Sequence, residues 1–175
     1  MWGGEGLNEY FGTIEDFLML NFRGRKPQNQ VTGSPLEAHA GTVEQILMSI
    51  GVDLNQARMK TDSGFGWSFQ RGSAVIEIFV SQQNGVGYFQ VLSPIIHLPI
   101  NGLLPLYRRL LELNLQMSNA CLGMYLDVVY VFSERPLEGM DGNEANDIIN
   151  LVASYADDFD DKLVGEFGGR LYAKA

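Results

Sequence analysis

Ala74-Val75-Ile76-Glu77-Ile78-Phe79-Val80, followed by Asn84-Gly85 and then by the run Gly87 to Leu92, decides the fold of this chain. Val, Ile and Phe fill the first run, the composition of a strand that packs on a pleated surface. Asn-Gly between two such runs signals a two-residue hairpin, because both residues tolerate the positive φ that this turn requires. Gly66 to Gln70 supplies a preceding strand. Ser93-Pro94 is expected to end the last one, so three antiparallel strands stand in series.

Helical periods lie on either side. Upstream, Ser34-Pro35-Leu36-Glu37 fits an N-cap, a proline at the first helical position and a capping-box Glu. Thr42-Val43-Glu44-Gln45 offers a second start just past Gly41. Val43, Ile46, Leu47 and Ile50 then form a stripe that stops at Gly51, so the well-formed helix is expected from Thr42 to Ile50. Downstream, Asn101 is expected to cap a helix carrying Leu103, Leu104, Tyr107, Leu110, Leu111 and Asn114, with Pro105 in its first turn. Two more strands follow, around Ala120–Met124 and Asp127–Phe132, with a tight turn near Leu126-Asp127 and Pro136 closing the hairpin. The final helix opens with the capping box Asp141-Gly142-Asn143-Glu144. Ile148, Ile149, Val152, Ala156, Phe159 and Leu163 line one of its faces.

The order is therefore helix, three strands, helix, two strands, helix. Strands and helices do not alternate one for one, which excludes a parallel βαβ architecture. The fold class is α+β: an antiparallel sheet with helices packed on one face, plus an N-terminal amphipathic helix.

That N-terminal helix is read from Leu7, Tyr10, Phe11, Ile14, Phe17 and Leu18, which recur at helical spacing. Glu9, Glu15 and Asp16 occupy its polar side. A membrane-surface helix would carry Lys and Arg there, so the stripe is expected to dock onto protein. Arg23-Gly24-Arg25-Lys26-Pro27-Gln28-Asn29-Gln30 follows as a polar, basic linker. The organisation is thus a helix and linker over residues 1–33, a domain over 34–169 and a tail over 170–175.

Composition narrows the function. The 175 residues are 46% hydrophobic and carry 12 Lys plus Arg against 21 Asp plus Glu, a net charge of −9. Such an acidic chain is a poor general partner for nucleic acid or anionic membrane. One cysteine excludes an internal disulfide framework, and no apolar run approaches the ~20 residues of a membrane span. The start, Met1-Trp2-Gly3-Gly4-Glu5, does not resemble a signal peptide, so a cytoplasmic location is expected.

No catalytic constellation emerges. His97, within Ile95-Ile96-His97-Leu98-Pro99, is expected to be a half-buried, satisfied residue; His39 is the only other histidine. Cys121, between Ala120 and Leu122, is expected to be a small buried apolar side chain. Gly64-Phe65-Gly66 fails as a dinucleotide or P-loop motif, because position 69 is Phe and no Lys-Ser pair follows. Asp157-Asp158-Phe159-Asp160-Asp161 has the charge to attract Ca²⁺, but consecutive carboxylates on a helix diverge, and only Asp157 and Asp161 share a face. No cofactor and no metal is expected, and the chain is not expected to be an enzyme.

Certain segments together resemble the YbjN family of bacterial proteins, which shares its fold with the type III secretion chaperones. They are Leu110-Leu111-Glu112-Leu113-Asn114, Tyr125-Leu126-Asp127-Val128-Val129-Tyr130-Val131, Arg135-Pro136-Leu137-Glu138-Gly139-Met140-Asp141, Ala156 to Leu163 and Phe167-Gly168-Gly169. The resemblance covers roughly residues 41 to 169. It implies a compact α+β subunit, usually a homodimer, without enzymatic activity. Secretion chaperones of this fold hold an unfolded client segment, whereas YbjN-type members are linked to stress and sensory regulation. The function expected is a protein-binding module, chaperone-like or adaptor-like, with a small-ligand or calcium-responsive regulator as the alternative. The expected dimer seam is the middle helix (Leu103 to Leu113) or the second hairpin (Ala120 to Phe132), through Leu103, Tyr107, Leu110, Leu111, Tyr125 and Tyr130. The N-terminal stripe is an addition to the family pattern.

Overall fold

The computed structural model describes residues 35–61, 64–83 and 86–172. In chain order the elements are helices α1 (Pro35–Ser49) and α2 (Leu54–Ala57), strands β1 (Arg58–Met59), β2 (Phe65–Arg71), β3 (Ala74–Gln83) and β4 (Val86–His97), helix α3 (Leu103–Asn114), strands β5 (Cys121–Tyr125) and β6 (Val128–Pro136), helix α4 (Gly142–Phe167) and strand β7 (Arg170–Leu171). The expected N-terminal helix with its stripe Leu7, Tyr10, Phe11, Ile14, Phe17 and Leu18 lies outside the described residues. So do the N-cap Ser34 and the turn Asn84-Gly85.

All strands are antiparallel, in the order β1-β2-β3-β4-β6-β5, with β7 joining β4. The pleat gives the sheet two faces of different character. Trp67, Phe69, Ile76, Ile78, Val80, Phe89, Val91, Val129, Val131 and Leu122 point to one face, where they form a continuous core with buried residues of all four helices. Val75, Phe79, Leu92, Tyr125 and Val128 point to the other and are buried as well, but stand apart from that core. The helices therefore pack on one face, as the patterning requires.

Local chemistry explains most boundaries. At the start of α4 the Asp141 side chain accepts a hydrogen bond from the Glu144 N–H at 2.9 Å, satisfying one of the helix's orphan donors. Ala145, Ile149, Val152, Ala153, Ala156 and Leu163 are its buried face. The turn between β5 and β6 falls at Leu126-Asp127, with Leu126 at φ 52.

Four sequence expectations need correction. Helix α1 starts at Pro35 rather than Thr42 and runs through Gly41: Ala40 and Val43 on either side are buried in the core, and the Thr42 hydroxyl donates to the Ala38 carbonyl at 3.2 Å, inside the helix. Core packing outweighs the weak propensity of one glycine. Asn101 does not cap α3. Gly102 does, at φ 77, a left-handed conformation that glycine adopts without steric cost, and its carbonyl accepts from Leu106 N–H at 3.2 Å. Strand β4 does not end at Ser93-Pro94 but continues to His97. Its register with β6 shifts between Pro94 and Ile96, and an irregularity of this kind tolerates a residue without an N–H. Finally, Arg170 and Leu171 belong to the sheet, pairing with His97 and Ile96.

Candidate functional site

Helix α3 carries leucines on two of its sides, with Arg108, Arg109 and Glu112 between them. Its inner face, Leu106, Leu110 and Leu113, is buried against the core. Its outer face is not covered: Leu104 is 79% exposed and Leu111 69%, flanked by Ile100 at 96% and Leu115 at 89%. Leu104, Leu111 and Leu115 stand seven and four positions apart, so they align along one side of the cylinder. Arg108 rises between them, its guanidinium Nε 2.8 Å from Glu112. Arg109, on the adjacent side, reaches Glu166 of α4 at 3.5 Å, tying the helix to its neighbour. The result is an apolar stripe set among ion pairs. Scattered single leucines on a surface need no explanation, whereas a contiguous stripe marks an interaction site.

Of the expected seam residues, Leu111 lies on this stripe. Leu103, Tyr107 and Tyr130 are half-buried. Leu110 and Tyr125 are buried to 6% and 7%, so they offer almost no side-chain surface to a second molecule. For Leu110 the helical period explains this, since position 110 falls on the inner face with 106 and 113. For Tyr125, the pleat turns it to the sheet face that holds Phe79 and Leu92. Sequence reasoning missed Leu104, Ile100 and Leu115 as surface residues. The signal was present in the doubled leucines Leu103-Leu104 and Leu110-Leu111, where adjacent positions cannot share a face.

The aromatic residues of the sheet are largely withdrawn from solvent. Trp67 and Phe89 are fully buried, Phe79 is 4% exposed, and Tyr88, Tyr130 and Phe132 are half-buried. Burial, and after it the Glu77 carboxylate, pushes the Tyr130 hydroxyl well above its ordinary pKa.

A cavity of about 690 Å³ opens between the far end of β6 and the first half of α4, lined by Ala120, Cys121, Phe132, Ile148, Leu151 and the ion pair Arg135–Glu144. Cys121 stands at its edge and is exposed, contrary to expectation. On an edge strand, alternation sends Leu122 inward and Cys121 outward. Partial desolvation nonetheless holds its thiol above the usual pKa, so it is not an activated nucleophile. His97 is half-buried, with Nδ1 3.3 Å from Asp127 Oδ2 and its ring stacked on Tyr172 at 5.4 Å.

The acidic helix does not gather its carboxylates. Asp157 is held by the Ser73 hydroxyl, Asp158 faces Lys162 at 3.9 Å, and no group of three or more His, Cys, Asp or Glu able to hold a metal occurs among the described residues. Partial burial, with the neighbouring Asp161 and Asp157 charges, raises the Asp160 pKa even though the Asp161 backbone N–H opposes the shift. No helix among the described residues is long and apolar enough to cross a membrane.

No family model matches the sequence, and no curated protein matches it. Solved structures do match in three dimensions. A chain of the HopA1–SchA chaperone–effector complex superposes with a TM-score of 0.56 over 75% of this chain and 99% of its own, at 8% identity. The type III secretion chaperone SycH from Yersinia pestis, solved in complex with a fragment of YscM2, gives 0.49 over 69% and 98%, at 12% identity. The chain has the type III secretion chaperone fold. At such low identity the likeness is one of architecture.

Proposed function

We propose that this protein is a non-enzymatic binding module, chaperone-like or adaptor-like, that acts as a homodimer in the cytoplasm and holds a partner polypeptide. The observation that carries this reading is the exposed pair Leu104 and Leu111 on a helix whose other face is already buried, with exposed Ile100 and Leu115 just beyond its two ends. Leaving four large apolar side chains in water is unfavourable, and a second protein surface is the simplest way to remove them. A second copy meets the geometry well, because a two-fold axis beside α3 sets the stripe against itself and Arg108 beside its partner's acidic Glu112.

The architecture shared with a chaperone in complex with its effector supports a polypeptide client. The YbjN resemblance adds stress or sensory regulation as the setting. The N-terminal stripe Leu7, Tyr10, Phe11, Ile14, Phe17 and Leu18 is a second protein-docking element in this reading, carried on the polar linker that precedes the domain.

Native mass spectrometry on tagged protein, isolated gently from its own cells, is the test. The expected result is a mass of two chains of 19.4 kDa plus a stoichiometric polypeptide. Deleting residues 1–33 is expected to reduce partner recovery while leaving the dimer intact. A bare monomer in both preparations would overturn the reading.

A further inference from the structure

Strand β5 ends the sheet, and no described strand pairs with its outer edge. Its sequence, Cys121-Leu122-Gly123-Met124-Tyr125, holds neither a charge nor a proline, the devices by which edge strands usually refuse another strand. In an antiparallel edge strand every second residue turns both of its backbone groups outward. Leu122 is such a residue, and both of its groups are taken by one side chain. Its N–H donates to Asn114 Oδ1 at 2.6 Å, and its carbonyl accepts from Asn114 Nδ2 at 3.1 Å. A primary amide carries donor and acceptor on one planar group, as a peptide unit does. Asn114 therefore offers Leu122 the same pair of bonds that a residue of a neighbouring strand would offer. It is the last residue of α3, and the burial of Leu110 and Leu113 beside it fixes its position. Met124, two residues further on, turns its backbone the same way and has no such bond among the described residues.

We propose that Asn114 is a latch on a strand-accepting edge, and that the strand it excludes is β5 of a second copy of this chain. The neutrality of β5 is what makes a second copy the fitting occupant: an antiparallel pair of identical uncharged strands brings no like charges together. With the latch closed, association runs through side chains such as those of α3 rather than through backbone pairing. The latch is independent of the α3 interface, because its effect is read relative to whatever mass the wild-type protein has.

The test is amide exchange followed by NMR on the full-length protein, combined with light scattering across a concentration series. In wild type the Leu122 amide is expected to exchange at least roughly tenfold more slowly than that of Met124. In Asn114→Ala the Leu122 amide is expected to lose that protection at low concentration, and the mass to rise to at least twice that of wild type at high concentration. Asn114→Asp keeps an acceptor for the Leu122 N–H and places a charge at the edge, so it is expected to retain both the protection and the wild-type mass. Equal exchange at Leu122 and Met124 in wild type overturns the latch, and this measurement does not depend on any variant folding. Folded Asn114→Ala that loses protection but keeps the wild-type mass at every concentration overturns the second copy as occupant.

Discussion

Replacing Leu104 and Leu111 together with Glu puts the proposed interface to a quantitative test. Each leucine is more than two-thirds exposed in the single chain, so neither contributes much to the stability of the fold. Surface substitutions away from structural features usually change stability by less than about 0.5 kcal/mol. Association is a different matter. Fully burying a leucine is worth about 1.5–3 kcal/mol, and the exposed fractions here leave roughly 1–2 kcal/mol per side chain to be gained. A two-fold seam buries four of them, or roughly 4–8 kcal/mol, which weakens the dimer by about three to six powers of ten when removed. Charge repulsion between the introduced carboxylates adds to the loss in a chain already at −9. Sedimentation equilibrium is the assay, paired with urea unfolding of the same samples. The expected outcome is a monomer whose unfolding, measured at a concentration where wild type is also monomeric, is unchanged. A folded double variant that keeps the wild-type mass at micromolar concentration would refute the argument. Leu110→Glu is the contrasting variant: that side chain is 6% exposed in the core, so its carboxylate is buried without a partner and the fold is lost.

Three further outcomes follow from local features. Asp141→Ala removes the side-chain bond to the Glu144 N–H at the start of α4 and is expected to cost about 1 kcal/mol, within a range of roughly 0.5–2, by urea denaturation. Asp160 has its pKa raised in the folded chain, so the native state binds a proton more readily than the unfolded state, and stability is expected to decline as pH rises through the range just above 3.8. Asp160→Asn should remove that slope and leave the protein more stable at pH 7; thermal melts of both proteins between pH 4 and 7 check the sign. Cys121 is exposed but has its thiol pKa raised above 9.0, so alkylation by iodoacetamide is expected to be slow at pH 7 and to keep accelerating beyond pH 9. A rate that levels off below pH 8 would contradict this.

Much of the fold was legible in the sequence, because its strongest signals are local. The β-branched run at Ala74–Val80 has one reading, and the capping box at Asp141 works through atoms three residues apart. The two-residue turn at Leu126-Asp127 was placed by the strands flanking it. Two of the misreadings share a cause: tertiary partners changed the meaning of a local breaker. Pro94 ends a strand in isolation, but within β4 it sits beside a register shift that makes its missing N–H harmless. Gly41 interrupts a helix in isolation, yet α1 continues through it because Ala40 and Val43 are held by the core. The docking surface was half visible. Leucine spacing marked α3 as important, but only the positions of β5 and α4 decide which side of it is covered, and they placed Leu110 inside and Leu104 outside. The Asn114 bond to Leu122 spans eight residues and two elements, and no composition rule points to it.

Strand β7 closes a gap on β4 that no earlier strand among the described residues fills. Ile96 and His97 pair with β6 on one side and with Leu171 and Arg170 on the other. The route to this second pairing includes Gly169, whose φ of 94 and close approach to the His97 carbonyl leave no room for a side chain. During synthesis this edge of β4 therefore waits for a partner seventy-five positions downstream. At about 5–20 residues per second, a ribosome needs roughly 4–15 s to deliver it. For that interval the nascent chain displays an unpaired stretch of its central strand, and a trigger for premature clumping is present in every copy being made. Ile96 and His97 thus become paired on both sides only after Arg170 and Leu171 have emerged, so completing this part of the sheet is a late step in the folding of the domain.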